Sequence, residues 1–136
     1  MKDIVSLNGT GLTLDDVVAV ARDGAVVTLS PDARAAMQRS ADLVEGFVSG
    51  EQPVYGVTTG FGSLASTVIP ADRTAELQVA LVRSHATGMG DTVEPEVVRA
   101  MLLLRARSLS LACSGARPAL VDLQLALLQH GLTPVV

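Results

Sequence analysis

Apolar residues recur at helical spacing in five stretches of this chain, most of them opened by a capping residue or a proline. Thr13, with Asp16 three residues on, reads as a capping box, so Leu14–Arg22 is predicted to be a helix ending at Gly24. Ser30-Pro31 is a cap followed by a first-turn proline, and Gly50 is the matching stop of a second helix carrying Leu43, Val44 and Phe47. Pro70 opens a third helix through Thr87, ended by Gly88-Met89-Gly90, with Leu77, Leu81 and His85 on one inward face at i, i+4, i+8. Pro95 opens a fourth, whose segment MLLLRARSLSLA is apolar on several sides, as in the middle of a bundle or at a subunit interface. Pro118 opens a fifth, with Leu120, Leu123, Leu127 and Leu128 inward and Gly131 as its C-terminal cap.

Short runs with strand character flank the first helix. Ile4–Leu7 precedes the turn signal Asn8-Gly9, and Ala25–Leu29 is expected to pair with it in a small N-terminal ribbon. The pattern therefore predicts a mainly α chain, a helical bundle-type structure with a small β element near the N-terminus.

Composition narrows the function classes. A chain of 136 residues is one domain's worth, and its 49% hydrophobic residues include only 2% aromatics, so Ala, Leu and Val must build the core. A net charge of −4 with no basic run offers nothing to nucleic acid or to a membrane surface. One cysteine excludes an internal disulfide, and with two histidines it shows no zinc spacing, so no metal is expected. MKDIVSLNGT lacks the apolar stretch of a signal peptide, and the longest apolar run, Ala100–Leu104, is far too short to span a bilayer. The expected setting is cytoplasmic. The apolar ending LTPVV has nothing to cover it, so the chain is expected to continue beyond Val136.

Candidate chemistry concentrates in PVYGVTTGFGSLAS, residues 53–66, which hold the single tyrosine. Tyr55 is either a half-buried tyrosine at a loop root or a general acid–base on a pliable flap. A phenol ordinarily titrates near ~10, so a catalytic phenolate needs positive charge or helix N-termini nearby. GFGSLA, residues 60–65, matches the glycine spacing of a dinucleotide-binding turn, but no acidic residue follows about 20 positions on, and that reading is set aside. His85, on the apolar face with Leu77 and Leu81, is either a core histidine bonded to a backbone carbonyl or a histidine lining a pocket. Cys113 is expected to be buried and inert, and His130 fits a cation at a helix C-terminus.

PVYGVTTGFGSLAS (53–66), LQVALVRSHATGMG (77–90) and SGARPALVDLQLALLQHGLTPVV (114–136) together resemble, in order and spacing, the histidine ammonia-lyases of the aromatic amino-acid ammonia-lyase and aminomutase class. The resemblance implies that residues 1–136 are the N-terminal portion of an ammonia-lyase converting L-histidine to urocanate and ammonia, the entry step of histidine breakdown. It implies that Tyr55 acts on the substrate's β-proton and that His85 binds the substrate. Gly56, Thr59, Gly60, Phe61 and Gly62 would form the active-site loop. Phenylalanine lyases usually carry Phe-Leu at the second motif, so Ser84-His85 favours histidine or tyrosine, and Phe61–Ala65 favours histidine. Ala80 stands where relatives often have Asn or Ser.

The family's electrophile is a methylidene-imidazolone ring formed from the chain's own Ala-Ser-Gly, which is absent here and expected beyond Val136. Cys113-Ser114-Gly115 resembles a precursor variant but is followed by Ala-Arg-Pro-Ala, the pattern of an ordinary helix junction, so it is rejected as the electrophile. The resemblance also implies a small amino acid as substrate, a homotetramer when complete, and an inactive fragment. A tyrosine ammonia-lyase or aminomutase is the alternative within the class. A non-catalytic helical assembly module is the alternative outside it, favoured if the natural chain stops at Val136.

Overall fold

The computed structural model describes residues 3–9, 11–48, 53–60, 62, 67 and 69–136. In chain order these form β1 (Ile4–Leu7), α1 (Leu14–Ala21), β2 (Val26–Leu29), α2 (Pro31–Val48), α3 (Thr74–His85), α4 (Pro95–Ser110) and α5 (Pro118–Gln129), with a 3₁₀ turn over Ala71–Arg73 leading into α3. Residues 1–41 with 91–136 make one compact unit and residues 42–90 a second. Helix α2 begins in the first and finishes in the second.

The first unit starts with the expected strand pair, but the strands run parallel, in register from Ile4 against Val26 to Leu7 against Leu29. A tight ribbon would require an antiparallel turn. Here α1 lies between the strands as a crossover, which is what parallel pairing demands. Alternation along the strands buries Val5, Leu7 and Val27. The capping box of α1 is complete: Asp16 N–H donates to Thr13 Oγ1 at 3.2 Å, and Thr13 N–H donates to Asp16 Oδ2 at 2.9 Å. At the start of α2, Ala33 N–H donates to Ser30 Oγ at 3.2 Å, so Ser30 and Pro31 act as the sequence predicts. The Gly50 stop lies outside the described residues.

Helix α4 is the centre of this unit and packs against α1, α5 and β1. Val20, Met37, Leu103, Ala106 and Val121 are fully enclosed. Burying a side chain such as Leu103 contributes about 1.5–3 kcal/mol before entropy is counted. The opposite side of α4 stays open, with Met101 and Leu104 exposed. They border an apolar groove of about 510 Å³, closed by Gln124 of α5 and by Pro134 and Val136.

Helix α5 turns a different face inward from the one predicted. Val121, Leu125 and Leu128 are buried, whereas Leu120 and Leu123 are exposed and Leu127 is half-buried. Apolar residues occupy so many positions of VDLQLALL that several helix faces qualify, and packing on α4 and β2 selects one. Gly131 does end the helix. With φ +65° it lets Leu132 N–H reach Leu127 O at 2.9 Å and its own N–H reach Leu128 O at 3.3 Å.

A single guanidinium joins three helices. Arg99 on α4 donates to Val20 O at 2.8 Å, Ala21 O at 3.2 Å and Leu128 O at 3.0 Å. These carbonyls belong to the last turns of α1 and α5, where intrahelical partners run out and the helix dipole is negative. Gln129 adds a tie to the strands, its Nε2 donating to Val27 O at 3.2 Å. Exposed ion pairs connect Arg22 with Glu96 at 3.0 Å and Arg34 with Asp122 at 2.5 Å.

The second unit is built differently. Among its described residues only Thr59 and Gly60 are buried, while Leu43, Phe47, Val79 and Val82 are exposed. Helix α3 stops at His85, two residues before the predicted end, and Ala86 N–H closes it on Arg83 O at 3.3 Å. Its predicted inward stripe is partial. Leu77 and Leu81 are half-buried, and His85 is exposed. Among the described residues no helix is long and apolar enough to cross a membrane.

Two outcomes are expected from the first unit. Arg99→Met should cost about 2–3 kcal/mol, because charged hydrogen bonds to Val20 O, Ala21 O and Leu128 O are lost, of which Leu128 O alone keeps a backbone donor described above, Gly131 N–H. Urea unfolding should show this as a lower midpoint at unchanged slope, with Arg99→Lys recovering less than half, since an ammonium cannot fork to three acceptors. The second concerns acid. The hydrogen bond from Arg34 holds the Asp122 carboxyl below the ordinary carboxylate range. Its contribution is therefore complete above the unfolded value near ~4 and is lost as pH falls through the lower folded value. Asp122→Asn should cost under about 1 kcal/mol at neutral pH, as for a half-exposed pair, and the difference from wild type should vanish in strong acid.

Candidate active site

The tyrosine loop is held by its own threonines. Val57 N–H donates to Val54 O at 3.0 Å, closing a turn with Tyr55 and Gly56 at its corner. Gly56 has φ +72°, a conformation that strongly favours glycine, which explains why glycine follows the tyrosine. Thr58 Oγ1 accepts from Val54 N–H at 2.8 Å. Thr59, only 3% exposed, accepts from Gly56 N–H at 3.2 Å and donates to Gly60 O at 3.1 Å. The base of the loop is then closed by two cross-chain bonds, Gly60 N–H to Thr67 O at 3.1 Å and Ile69 N–H to Thr58 O at 2.9 Å.

On this braced turn the Tyr55 side chain is 65% exposed. It is therefore exposed rather than half-buried at a loop root. Thr59, Gly60 and Gly56 of the predicted loop are its framework, and Gly62 has φ +57°. Phe61 lies outside the described residues, as does most of the GFGSLA pattern. The parallel βαβ unit that a dinucleotide-binding turn requires occurs instead at residues 4–29. Sequence reasoning missed the bracing role of Thr58. Its signal was the Thr-Thr pair ahead of a glycine run, since threonine hydroxyls bond to nearby backbone in turns.

His85 is the last residue of α3, in the same compact unit as the loop. Its Nδ1 lies 2.9 Å from Leu81 O and 3.0 Å from Ser84 Oγ, and Ser84 Oγ donates to Leu81 O at 2.8 Å. Of the core-histidine alternative only the bond to a backbone carbonyl holds, because the ring is exposed rather than buried in a core. At the other end of α3, the hydrogen bond between Arg73 and Glu76, 2.9 Å long, raises the guanidinium and lowers the carboxyl from their ordinary values.

Cys113 is exposed, contrary to the buried cysteine expected. Ala112, with φ +60°, turns the chain out of α4, so Cys113 leaves the core face and its thiol donates to Leu111 O at 3.3 Å. The Gly115 amide, the atom that would have to attack in a self-cyclising tripeptide, donates instead to Ser40 Oγ at 3.1 Å. Cys113-Ser114-Gly115 thus serves as the connection between α4 and α5. It does not fit the electrophile precursor. Among the described residues no group of three or more His, Cys, Asp or Glu side chains could hold a metal ion.

Residues 12–136 match the family model for aromatic amino acid lyases. A histidine ammonia-lyase from Symbiobacterium thermophilum is 49% identical over 128 residues, which cover 94% of this chain and 25% of that protein. Among solved structures, the ergothioneine-degrading enzyme ergothionase of Treponema denticola aligns with a TM-score of 0.93 at 28% identity, over 98% of this chain and 27% of its own. A tyrosine aminomutase of Streptomyces globisporus aligns with a TM-score of 0.92 at 33% identity, over 97% of this chain and 25% of its own. The chain spans about a quarter of the length of the curated relatives it matches.

The bracing of the loop can be tested by an isosteric change. Thr59→Val keeps the shape but removes the acceptor for Gly56 N–H and the donor for the Gly60 carbonyl. Local opening should become easier by about 1–2 kcal/mol, seen as roughly tenfold faster hydrogen exchange at Gly56, with Thr59→Ser close to wild type.

Proposed function

Because this chain belongs to the aromatic amino acid lyase family, we propose that it is the N-terminal portion of a histidine ammonia-lyase, which eliminates ammonia from L-histidine to give urocanate. The observation that carries the reading is the pair of exposed polar rings in one compact unit, Tyr55 on a glycine-cornered turn and His85 at the end of α3. In this reading Tyr55 takes the β-proton and His85 binds the substrate ring. The β-hydrogen of an amino acid is barely acidic, so the phenol oxygen must be held against it while water is kept away. A tyrosine on a glycine-cornered turn braced by Thr58 and Thr59 suits that task, since the bracing holds the backbone on either side of the ring.

The methylidene-imidazolone of this enzyme class, when present, supplies the electrophile that activates the substrate. These 136 residues contain no Ala-Ser-Gly, so on this reading they bring a base and a binding group and are inactive alone. The reading takes the setting to be cytoplasmic and the complete enzyme to be a homotetramer. Exposed Met101, Leu104 and Leu123 beside a buried core are the kind of apolar surface that subunits cover. A tyrosine ammonia-lyase or aminomutase is the second reading, favoured by Ser84-His85 and by the likeness to the Streptomyces globisporus aminomutase.

In the complete enzyme, Tyr55→Phe should lower kcat by about two orders of magnitude or more while the affinity for histidine changes far less. Survival of turnover with loss of affinity would make Tyr55 a binding residue. His85→Leu should weaken histidine binding by about 1–3 kcal/mol, one lost hydrogen bond, and raise the relative kcat/KM for phenylalanine. A ratio of kcat/KM values that does not move would remove His85 from the substrate site.

A further inference from the structure

The last turn of α3 places two oxygen atoms beside Nδ1 of His85. Leu81 O, 2.9 Å from Nδ1, can only accept. Ser84 Oγ, 3.0 Å from Nδ1, could in principle donate or accept. Its one hydrogen, however, is already directed at Leu81 O, 2.8 Å away, so toward Nδ1 it offers only lone pairs. Both neighbours of Nδ1 are therefore acceptors, and the ring satisfies them by carrying its hydrogen there. A free histidine side chain in water prefers the opposite form, with hydrogen on Nε2. The hydrogen bond made by one ring nitrogen sets the state of the other.

We propose that the Leu81 carbonyl and the Ser84 hydroxyl together hold neutral His85 in the Nδ1–H form, so that Nε2 presents a lone pair and recognises a substrate ring bearing an N–H or O–H donor. Ser84 is then a positioning residue, acting on the substrate only through His85. The class selected is an aromatic amino acid with a donor on its ring, an imidazole N–H or a phenol O–H. A phenyl ring would leave Nε2 without a partner in a closed site, which is disfavoured. A serine and a histidine adjacent in sequence reach the same carbonyl because i−3 and i−4 positions face them on a helix.

The tautomer is measurable without any substrate. The chain has only two histidines, His85 and His130, so nitrogen-15 labelling of imidazoles gives two ring systems, assigned by the one lost in His130→Gln. Spectra are recorded over a pH series and read where the nitrogen shifts of each ring report a neutral imidazole. Nδ1 of His85 should then resonate as a protonated nitrogen and Nε2 as an unprotonated one, with the Nδ1–H form favoured roughly fivefold or more, the factor one net hydrogen bond supplies. Ser84→Ala, an exposed change, should lower that preference several-fold, and Ser84→Thr should keep it. A protonated Nε2 in the wild type, or an unaltered tautomer in Ser84→Ala, would overturn the proposal.

The recognition half rests on the reading of His85 as the ring-binding residue, and a second arm separates the two. In the complete enzyme, Ser84→Ala should lower the ratio of kcat/KM for histidine to that for phenylalanine by a few-fold. If His85→Leu moves this ratio and Ser84→Ala does not, the tautomer argument fails alone. If neither moves it, the substrate-site reading of His85 fails with it.

Discussion

Three backbone carbonyls converge on the Arg99 guanidinium, and the arrangement of the first unit depends on that convergence. Helices α1 and α5 both end where α4 passes, and Arg99 supplies a donor to Val20 O and Ala21 O of α1 and a further donor to Leu128 O of α5, which also accepts from Gly131 N–H. Arginine suits this place because its planar fork can serve several acceptors at once and stays charged at any working pH. No carboxylate is needed as a partner. The helix ends themselves supply the negative potential. With both helix ends tied to α4, the apolar faces of α1 and α5 are brought against Leu103 and Ala106, and Gln129 couples the same assembly to β2.

That well-packed unit contrasts with residues 42–90, where the proposed chemistry lies. Buried apolar side chains are concentrated in the first unit, while the described part of the second buries only Thr59 and Gly60. Among the described residues of the tyrosine loop, Thr58 and Thr59 brace the backbone with hydrogen bonds. Segments with few apolar contacts open at low free energy, and binding loops are drawn from them. The division of labour is physically consistent. On the reading proposed above, the loop that carries Tyr55 binds a small amino acid, a task that does not require a packed core.

At the end of α3 the same economy is visible on a smaller scale. In the last turn of the helix, Leu81 O receives the side chains of Ser84 and His85. The groups that finish the helix thereby set the state of the ring exposed beside it.

Much of this was legible in the amino-acid sequence. Thr13 with Asp16, Ser30-Pro31, Pro95, Pro118 and Gly131 mark helix ends through chemistry confined to a few neighbouring residues, and each acts in the structure as its local pattern implies. The loop around Tyr55 and Gly56 was legible from its glycines, and the turn in which Gly56 takes a positive φ is seen only in the structure. The interactions that sequence could not reveal are those between residues far apart in the chain or between equally apolar faces. The parallel direction of β1 and β2 depends on where α1 packs. The choice of Val121, Leu125 and Leu128 over Leu120 and Leu123 depends on α4 and β2, because so many positions of that helix are apolar. Arg99 is one of ten basic residues by sequence and becomes a clamp only when the ends of α1 and α5 meet it. Cys113 left the core because Ala112 adopts a left-handed conformation that no local residue pattern demanded. Sequence determined the elements, whose signals are local, and tertiary structure decided their faces, directions and partners, because those depend on which surfaces exclude water together.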